Sequence, residues 1–338
     1  MVSAMTGRSG ALGAYLFDLV QAPIRWHAVR AAIVLGVFDI PEAGFTAPAA
    51  AERLGLAAER TAPFLDALAA MGLMDKAGGV YRPVAEAAAL LSSASPTSLT
   101  RSLLQLSGLR HAGLDRLPEL LRGEPAARAD LDLADPEFWR RAVASLRSFH
   151  RALGRAAMLE VLDALPEWPG ARRFLDIGAG SETLCLAVKD RRPEMAVTLF
   201  DLPGGAARIA ADLAAAGRAD ALEIRPGDYN ADDFGSGYDV IWASMTLYYA
   251  ADLAAVLGRV RAALAPGGVF VSFHEGLTGE RTAPETHVVG RLMPALRGQD
   301  VSFDLGRIAD AARAAGFARV ESRTVETSFG PMRADLCR

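Results

Sequence analysis

Apolar positions change their spacing along this chain, and the changes divide it. Over residues 15–37 they recur at helical intervals, with Trp26, Ala28, Ile33 and Val34 expected to face a core. Residues 38–91 read as helix, turn, helix and a short two-stranded wing around Gly78-Gly79. Thr46 is the expected N-cap of the Ala-rich helix to Leu54, and the next helix ends at Gly72. This is the pattern of a winged helix. Further helices are predicted over 99–109, 114–121 and 136–164, with a polar loop over 122–130.

From residue 172 the pattern switches to short apolar runs alternating with helices. Strands are predicted to end at Ile177 and Asp201, and to cover 221–225, 238–244 and 268–274. Helices are predicted from Ser181 as N-cap to about 190, and over 205–216, 250–264, 284–296 and 305–315. Two closing strands, 318–326 and 333–338, form a hairpin through residues 328–331. Strand–helix alternation predicts a doubly wound, Rossmann-like α/β sheet with an antiparallel edge. Two domains follow: a mainly helical one over 1–165 and the α/β domain over 166–338, with the boundary in 166–170.

The first βαβ unit carries the chemistry. Strand FLDI runs into Gly178-Ala179-Gly180, and the next strand ends on Asp201, 25 residues after Asp176. A glycine turn at a strand end lets a ligand approach the backbone, and an acid at the second strand end suits ribose hydroxyls. A nucleoside-type cofactor is expected. The dinucleotide fingerprint G-x-G-x-x-G is incomplete, because Thr183 stands at its last position.

Composition narrows the class. Hydrophobic residues make up 51% and charged residues 22%, as in a well-buried globular enzyme. The net charge of −4 implies no general polyanion-binding surface. In the winged-helix segment Arg53, Arg60, Lys76 and Arg82 face Glu52, Glu59, Asp66, Asp75 and Glu86, so a DNA-binding module is disfavoured against a dimerisation module of the same shape. The two cysteines, Cys185 and Cys337, fit neither a zinc site nor a disulfide framework. No apolar run approaches a membrane span and the first residues lack a leader pattern, so a cytoplasmic protein with no membrane partner is expected.

The segments LDIGAG, TLFDLP, GDY, LAPGG, AAGF and LDRLPELLRGEPA (residues 114–126), in this order and behind a winged helix, resemble a bacterial class I S-adenosylmethionine (SAM) O-methyltransferase of the acetylserotonin/caffeate type. The resemblance covers almost the whole chain. It implies SAM as cofactor, a small aromatic natural-product substrate, and a homodimer formed through an N-terminal domain that also closes over the active site. Asp176, Gly178 and Gly180 match three of the four fixed positions of D-x-G-x-G-x-G and would surround the methionine part of SAM. Glu182 departs at the fourth; an acid in the first helical turn suits the macrodipole and tolerates a cationic ligand. Asp201 would take the ribose hydroxyls with Leu202 beside the adenine, Asp228 and Tyr229 would lie on the adenine, and Ser244 and Met245 would line the methyl-donating side.

The resemblance fails at the general base. Where the family carries a His-Asp pair after the fourth strand, this chain has Tyr248 and Tyr249. Glu275 and Asp300 stand where the family has the two acids that orient the His. Tyr titrates near 10 and His near 6.5, so a tyrosine is a poor base at neutral pH. His287 is the first candidate for a replacement base, with His274 and His150 behind it; no metal site is expected, although His274, Glu275 and His287 could be read as a metal trio. O-methylation is the default that the resemblance implies, and the missing His makes C- or N-methylation more acceptable. A SAM-binding enzyme that does not methylate (a decarboxylase, hydroxylase or pericyclase on the same fold) is the alternative, and a SAM-responsive DNA-binding regulator is a third.

Overall fold

The computed structural model describes residues 2–41, 43–125, 132–298 and 300–338, with side chains from residue 11 onward. The predicted polar loop therefore lies partly outside the described residues. By its internal contacts the chain forms two compact units, Met1–Leu104 and Gln105–Arg338.

In the first unit a long helix, α1 (Val2–Leu35), leads into β1 (Phe45–Thr46), α2 (Ala47–Leu54), α3 (Ala58–Ala70), β2 (Met74–Ala77), β3 (Val80–Pro83) and α4 (Ala85–Leu91). The strands form an antiparallel sheet in the order β1-β3-β2. The Thr46 hydroxyl accepts the Ala49 N–H at 3.4 Å, which caps α2 as expected. Leu65, Leu68 and Tyr81 anchor the core. Val34, expected inside, is 62% exposed. The helix buries Ala32 instead, and a residue two positions on points roughly 200° away.

The second unit begins within α5 (Thr100–His111) and continues through α6 (Leu117–Leu121) and α7 (Pro136–Phe149). A π-helical turn, His150–Gly154, separates α7 from α8 (Arg155–Asp163), where the sequence pattern predicts one unbroken helix. These helices thus group with the sheet, whereas the composition boundary falls at 165/166.

Seven strands follow: β4 (Arg173–Ile177), β5 (Ala196–Asp201), β6 (Glu223–Pro226), β7 (Tyr238–Ser244), β8 (Leu264–His274), β9 (Val320–Val325) and β10 (Met332–Cys337). Their order is β6-β5-β4-β7-β8-β10-β9. Helices α9 (Thr183–Arg191), α10 (Pro203–Ala215), α11 (Leu253–Ala263), α12 (Glu285–Leu296) and α13 (Arg307–Ala314) connect them. All neighbours from β6 to β8 are parallel, and β10 is antiparallel to both β8 and β9. The antiparallel strand is therefore second from the edge. β10 is almost wholly buried and β9 is not, so the more apolar strand of the closing hairpin takes the inner place. The strand order reverses between β4 and β7, the place where open α/β sheets bind ligands. Among the described residues no helix is long and apolar enough to cross a membrane.

Candidate functional site

After β4 the chain turns through Gly178 and Gly180, each at φ +64°. Only glycine adopts that backbone cheaply, and here the space is closed as well. A Cβ on Gly178 would overlap the Thr246 side chain, and one on Gly180 would lie 2.6 Å from Leu146 Cδ1. Helix α9 starts at Thr183 with Glu182 at its N-cap, not Ser181. Ser181 is drawn inward instead: its hydroxyl pairs with His150 Nδ1 at 2.8 Å and stands 3.4 Å from the Thr183 N–H.

Two buried acids flank this turn. Asp201 accepts the Gly180 N–H through Oδ2 and the Leu202 N–H through Oδ1, each at 2.7 Å. Asp176 has the Cys185 thiol as a weak donor at 3.7 Å. Burial pushes Asp176 well above the usual carboxylate range, and the charge of Asp201 pushes it further. Burial also raises Asp201, against the two backbone donors that lower it. Neither acid has a basic partner within ion-pair distance among the described residues. Beside Asp201, the Trp139 ring of α7 lies over Gly204 and Gly205 at the start of α10, where any Cβ would meet it.

Glu182 has a different fate from that expected of it. It is buried, and Arg147 grips it with two bonds of 2.7 and 2.9 Å. Arg147 also holds Asp212 at 2.6 Å, and Arg151 stands 3.4 Å from Glu182. The acid that replaces a glycine is thus part of an ion-pair network fastening α7 to α9 and α10, and its charge is already balanced.

At the end of β7, Ser244 Oγ is buried without a hydrogen-bond partner, and Met245 adopts φ +49°. The following turn is pinned from three sides. His274 Nε2 accepts the Thr246 and Leu247 N–H groups at 3.1 and 3.0 Å, and its Nδ1 pairs with Ser272 Oγ at 2.9 Å. Tyr229 donates its hydroxyl to the Thr246 carbonyl at 2.7 Å, and burial pushes that phenol up to about 12. Asp228 accepts from the backbone and side chain of Asn230, which in turn accepts the Ala251 N–H. Burial lowers His274 to about 3, so it is a neutral clamp on the turn. His150 is likewise buried and lowered to about 4.

The turn presents Tyr248. Its hydroxyl donates to Glu275 Oε2, the same oxygen that accepts from Arg291 at 2.9 Å. The Arg291 guanidinium also lies 5.0 Å from the Tyr248 ring centre. Tyr248, Glu275, His287 and Arg291 line one small cavity with Phe303. His287 pairs through Nε2 with the Pro331 carbonyl at 2.8 Å, so that nitrogen carries the proton. Asp300 is not brought to this group. It pairs with Arg281 at 2.9 Å and accepts the Ser302 N–H, contacts that hold its carboxyl below the usual range against its partial burial.

Sequence reasoning thus named the turn glycines, the acids and Tyr248, and the fold gathers them near the β4/β7 reversal. It missed Trp139, Arg147 and Arg291. All three come from helices remote in sequence, and no local spacing announces them.

The arrangement fits SAM. Two buried acids without a basic partner suit a cationic ligand, and the orphaned Ser244 hydroxyl lacks a partner that a bound molecule would supply.

A family profile described as a methyltransferase domain matches residues 175–270, the segment that holds both acids and Tyr248. The chain is 28% identical over 243 residues to 3-hydroxy-5-methyl-1-naphthoate 3-O-methyltransferase of Streptomyces sahachiroi, covering 69% of this chain and 68% of that protein. It is 28% identical over 292 residues to the mitomycin biosynthesis 6-O-methyltransferase of Streptomyces lavendulae, covering 83% and 82%. The fold matches the crystal structure of human N-acetylserotonin methyltransferase in complex with SAM, with a TM-score of 0.76 at 18% identity over 97% of each chain.

Proposed function

We propose, for a chain that belongs to the SAM-dependent methyltransferases of the acetylserotonin/caffeate type, methyl transfer to a small aromatic natural-product intermediate. Oxygen is the default acceptor, as in the names of the relatives, and carbon or nitrogen are the alternatives that a tyrosine at the base position admits.

The observation that carries this reading is the pair of buried acids, Asp176 and Asp201, without a basic partner beside a glycine turn. Asp176 and the backbone of Gly178 and Gly180 hold the methionine part of the cofactor. Asp201 takes the ribose hydroxyls, and Leu202, Asp228 and Tyr229 border the adenine. Ser244 and Met245 line the methyl-donating side. When bound, SAM supplies an electrophilic methyl group for in-line displacement, a step that alignment and proximity can drive. On the acceptor side Tyr248 keeps its proton in a bond to Glu275, and Arg291 balances that carboxylate. Tyr248 therefore positions the substrate, and the nucleophile arrives already reactive near pH 7, as an acidic phenol, an amine or an electron-rich ring carbon does.

Asp201→Ala tests the cofactor half. Loss of hydrogen bonds to a charged acceptor should weaken SAM binding by about 1.5–3 kcal/mol, roughly ten- to a hundredfold. Undiminished SAM affinity in calorimetry would remove Asp201 from the site. Release of S-adenosylhomocysteine together with a methylated aromatic product tests the reaction, and turnover without that release would favour the non-methylating alternative.

Homodimerisation through the first unit is part of the same proposal. Phe17, Val20 and Ile24 on α1 are 76, 70 and 68% exposed, a row of apolar surface that a second copy would cover. Light scattering should return twice the 35.7 kDa chain mass, and a stable single-chain mass at micromolar concentration contradicts this.

A further inference from the structure

Thr246, the second residue after β7, stands between the cofactor turn and the turn that carries Tyr248. It is buried, and its side chain fills the space that Gly178 leaves open: a Cβ on Gly178 would lie 2.8 Å from Thr246 Cβ and 3.0 Å from its Cγ2. An approach that close requires the glycine, so the two turns touch at this pair of residues. The backbone of Thr246 is held as well. Its carbonyl accepts the Tyr229 hydroxyl at 2.7 Å and the Tyr249 N–H at 3.2 Å. Its N–H donates to His274 Nε2 at 3.1 Å, and the His274 ring packs edge-on against the Tyr248 ring with centres 5.2 Å apart. Met245, just before it, donates its N–H to the Phe273 carbonyl at 3.0 Å and takes φ +49°, where the chain leaves the strand and Thr246 meets Gly178. A side chain in that left-handed backbone is strained, and such strain persists only where surrounding contacts fix it.

We propose that Thr246 is a positioning residue that couples the two halves of the site: a ligand filling the cofactor turn sets the position of the Tyr248 ring through the Thr246 side chain. The inference rests on the methyltransferase reading above and adds a regulation to it. Thr246 meets the residues assigned to the cofactor twice, at Gly178 and at Tyr229, and it belongs to the acceptor turn through its own backbone, two residues before Tyr248. Groups packed this closely do not shift independently. A cofactor that settles against the Gly178 backbone therefore bears on Thr246, and Tyr248 follows. Such coupling is reciprocal, so an acceptor held at Tyr248 tightens the cofactor in turn. The contact is one of shape, since it is made by the Thr246 carbons that face Gly178 as well as by its hydroxyl.

The test is fluorine NMR of the full chain carrying 3-fluorotyrosine at its six tyrosines, titrated with S-adenosylhomocysteine, with the Tyr248 line assigned from Tyr248→Phe. Saturation should shift the Tyr248 line and leave that of Tyr81, in the first unit, unmoved. Thr246→Ala should lose most of the Tyr248 shift. Thr246→Val, which keeps the branched shape against Gly178, should retain it, and calorimetry should show S-adenosylhomocysteine bound to both variants. A Tyr248 line that stays still while S-adenosylhomocysteine binds, a full shift in Thr246→Ala, or loss of binding in both variants would overturn the proposal. Failure of the unaltered chain to bind S-adenosylhomocysteine would overturn the methyltransferase reading and this proposal with it.

Discussion

The turn after β4 and the turn after β7 leave neighbouring strands of one sheet, yet they are built in opposite ways. The first is made of backbone: two positive-φ glycines, an acid before them, and an acid at the next strand end that accepts the Gly180 N–H. The second is made of side chains: Tyr248 from the turn, Glu275 after β8 and Arg291 from α12, with His274 and Tyr229 holding the turn from below. A backbone site depends on a few short local motifs and serves one ligand shape. A side-chain site can exchange its chemistry by single substitutions while the turn beneath it stays fixed. Here a tyrosine stands where the resemblance implies a histidine, on a turn that His274 and Tyr229 hold in place.

The largest effect that would sharpen this contrast is expected at the cover of the backbone site. Arg147 grips a buried Glu182 and joins α7, which carries Trp139 and Leu146, to α9 and α10. Removing one partner of a buried ion pair leaves an uncompensated charge, so Arg147→Ala should cost about 3–5 kcal/mol in urea unfolding. Joint replacement, Arg147→Met with Glu182→Leu, should recover most of it. A single-variant loss under about 1 kcal/mol would show that α7 is held by other contacts.

A smaller effect is expected from His150, buried behind the same turn and lowered by burial to about 4 from an ordinary 6.5. The unfolded chain takes up the proton first, so stability is full above pH 6.5 and falls as the pH drops toward 4. At about 1.4 kcal/mol per unit, the loss from this group between pH 7 and pH 4.5 is about 2–3 kcal/mol. His150→Gln should flatten that part of the pH profile. His274, lowered in the same way to about 3, keeps the remainder of the slope. An unchanged slope in His150→Gln would mean that the imidazole is not neutral in the fold.

The same contrast explains what could be read from the sequence. Strand ends, turn glycines and Asp201 lie within one βαβ unit, where apolar periodicity and spacing place them, and β7 falls on its expected residues 238–244. Tyr248 is legible because it follows that strand. Glu182 is not, since its partner Arg147 lies 35 residues earlier on a helix whose docking no local pattern encodes. Arg291 reaches Tyr248 and Glu275 from α12, far along the chain from the turn after β7. Ser181 is a misreading of another kind: its hydroxyl suits an N-cap, and a tertiary bond to His150 takes it instead. Val34 shows the limit of periodicity, because an apolar helix has more faces to offer than the core of one unit uses.

The smallest expected effect bears on the central claim, that the side-chain site positions the acceptor and does not remove its proton. Tyr248 already donates its proton to Glu275, so Tyr248→Phe takes away one hydrogen bond and leaves the Glu275–Arg291 pair in place. With an accepted aromatic substrate, turnover should fall by about 0.5–1.5 kcal/mol in barrier, roughly two- to twelvefold, with SAM affinity unchanged and a rate flat above pH 7 apart from the substrate's own ionisation. A thousandfold loss in that variant with SAM affinity intact, within the ~10²–10⁴ of general acid–base catalysis, would contradict the account and make Tyr248 and Glu275 a proton relay.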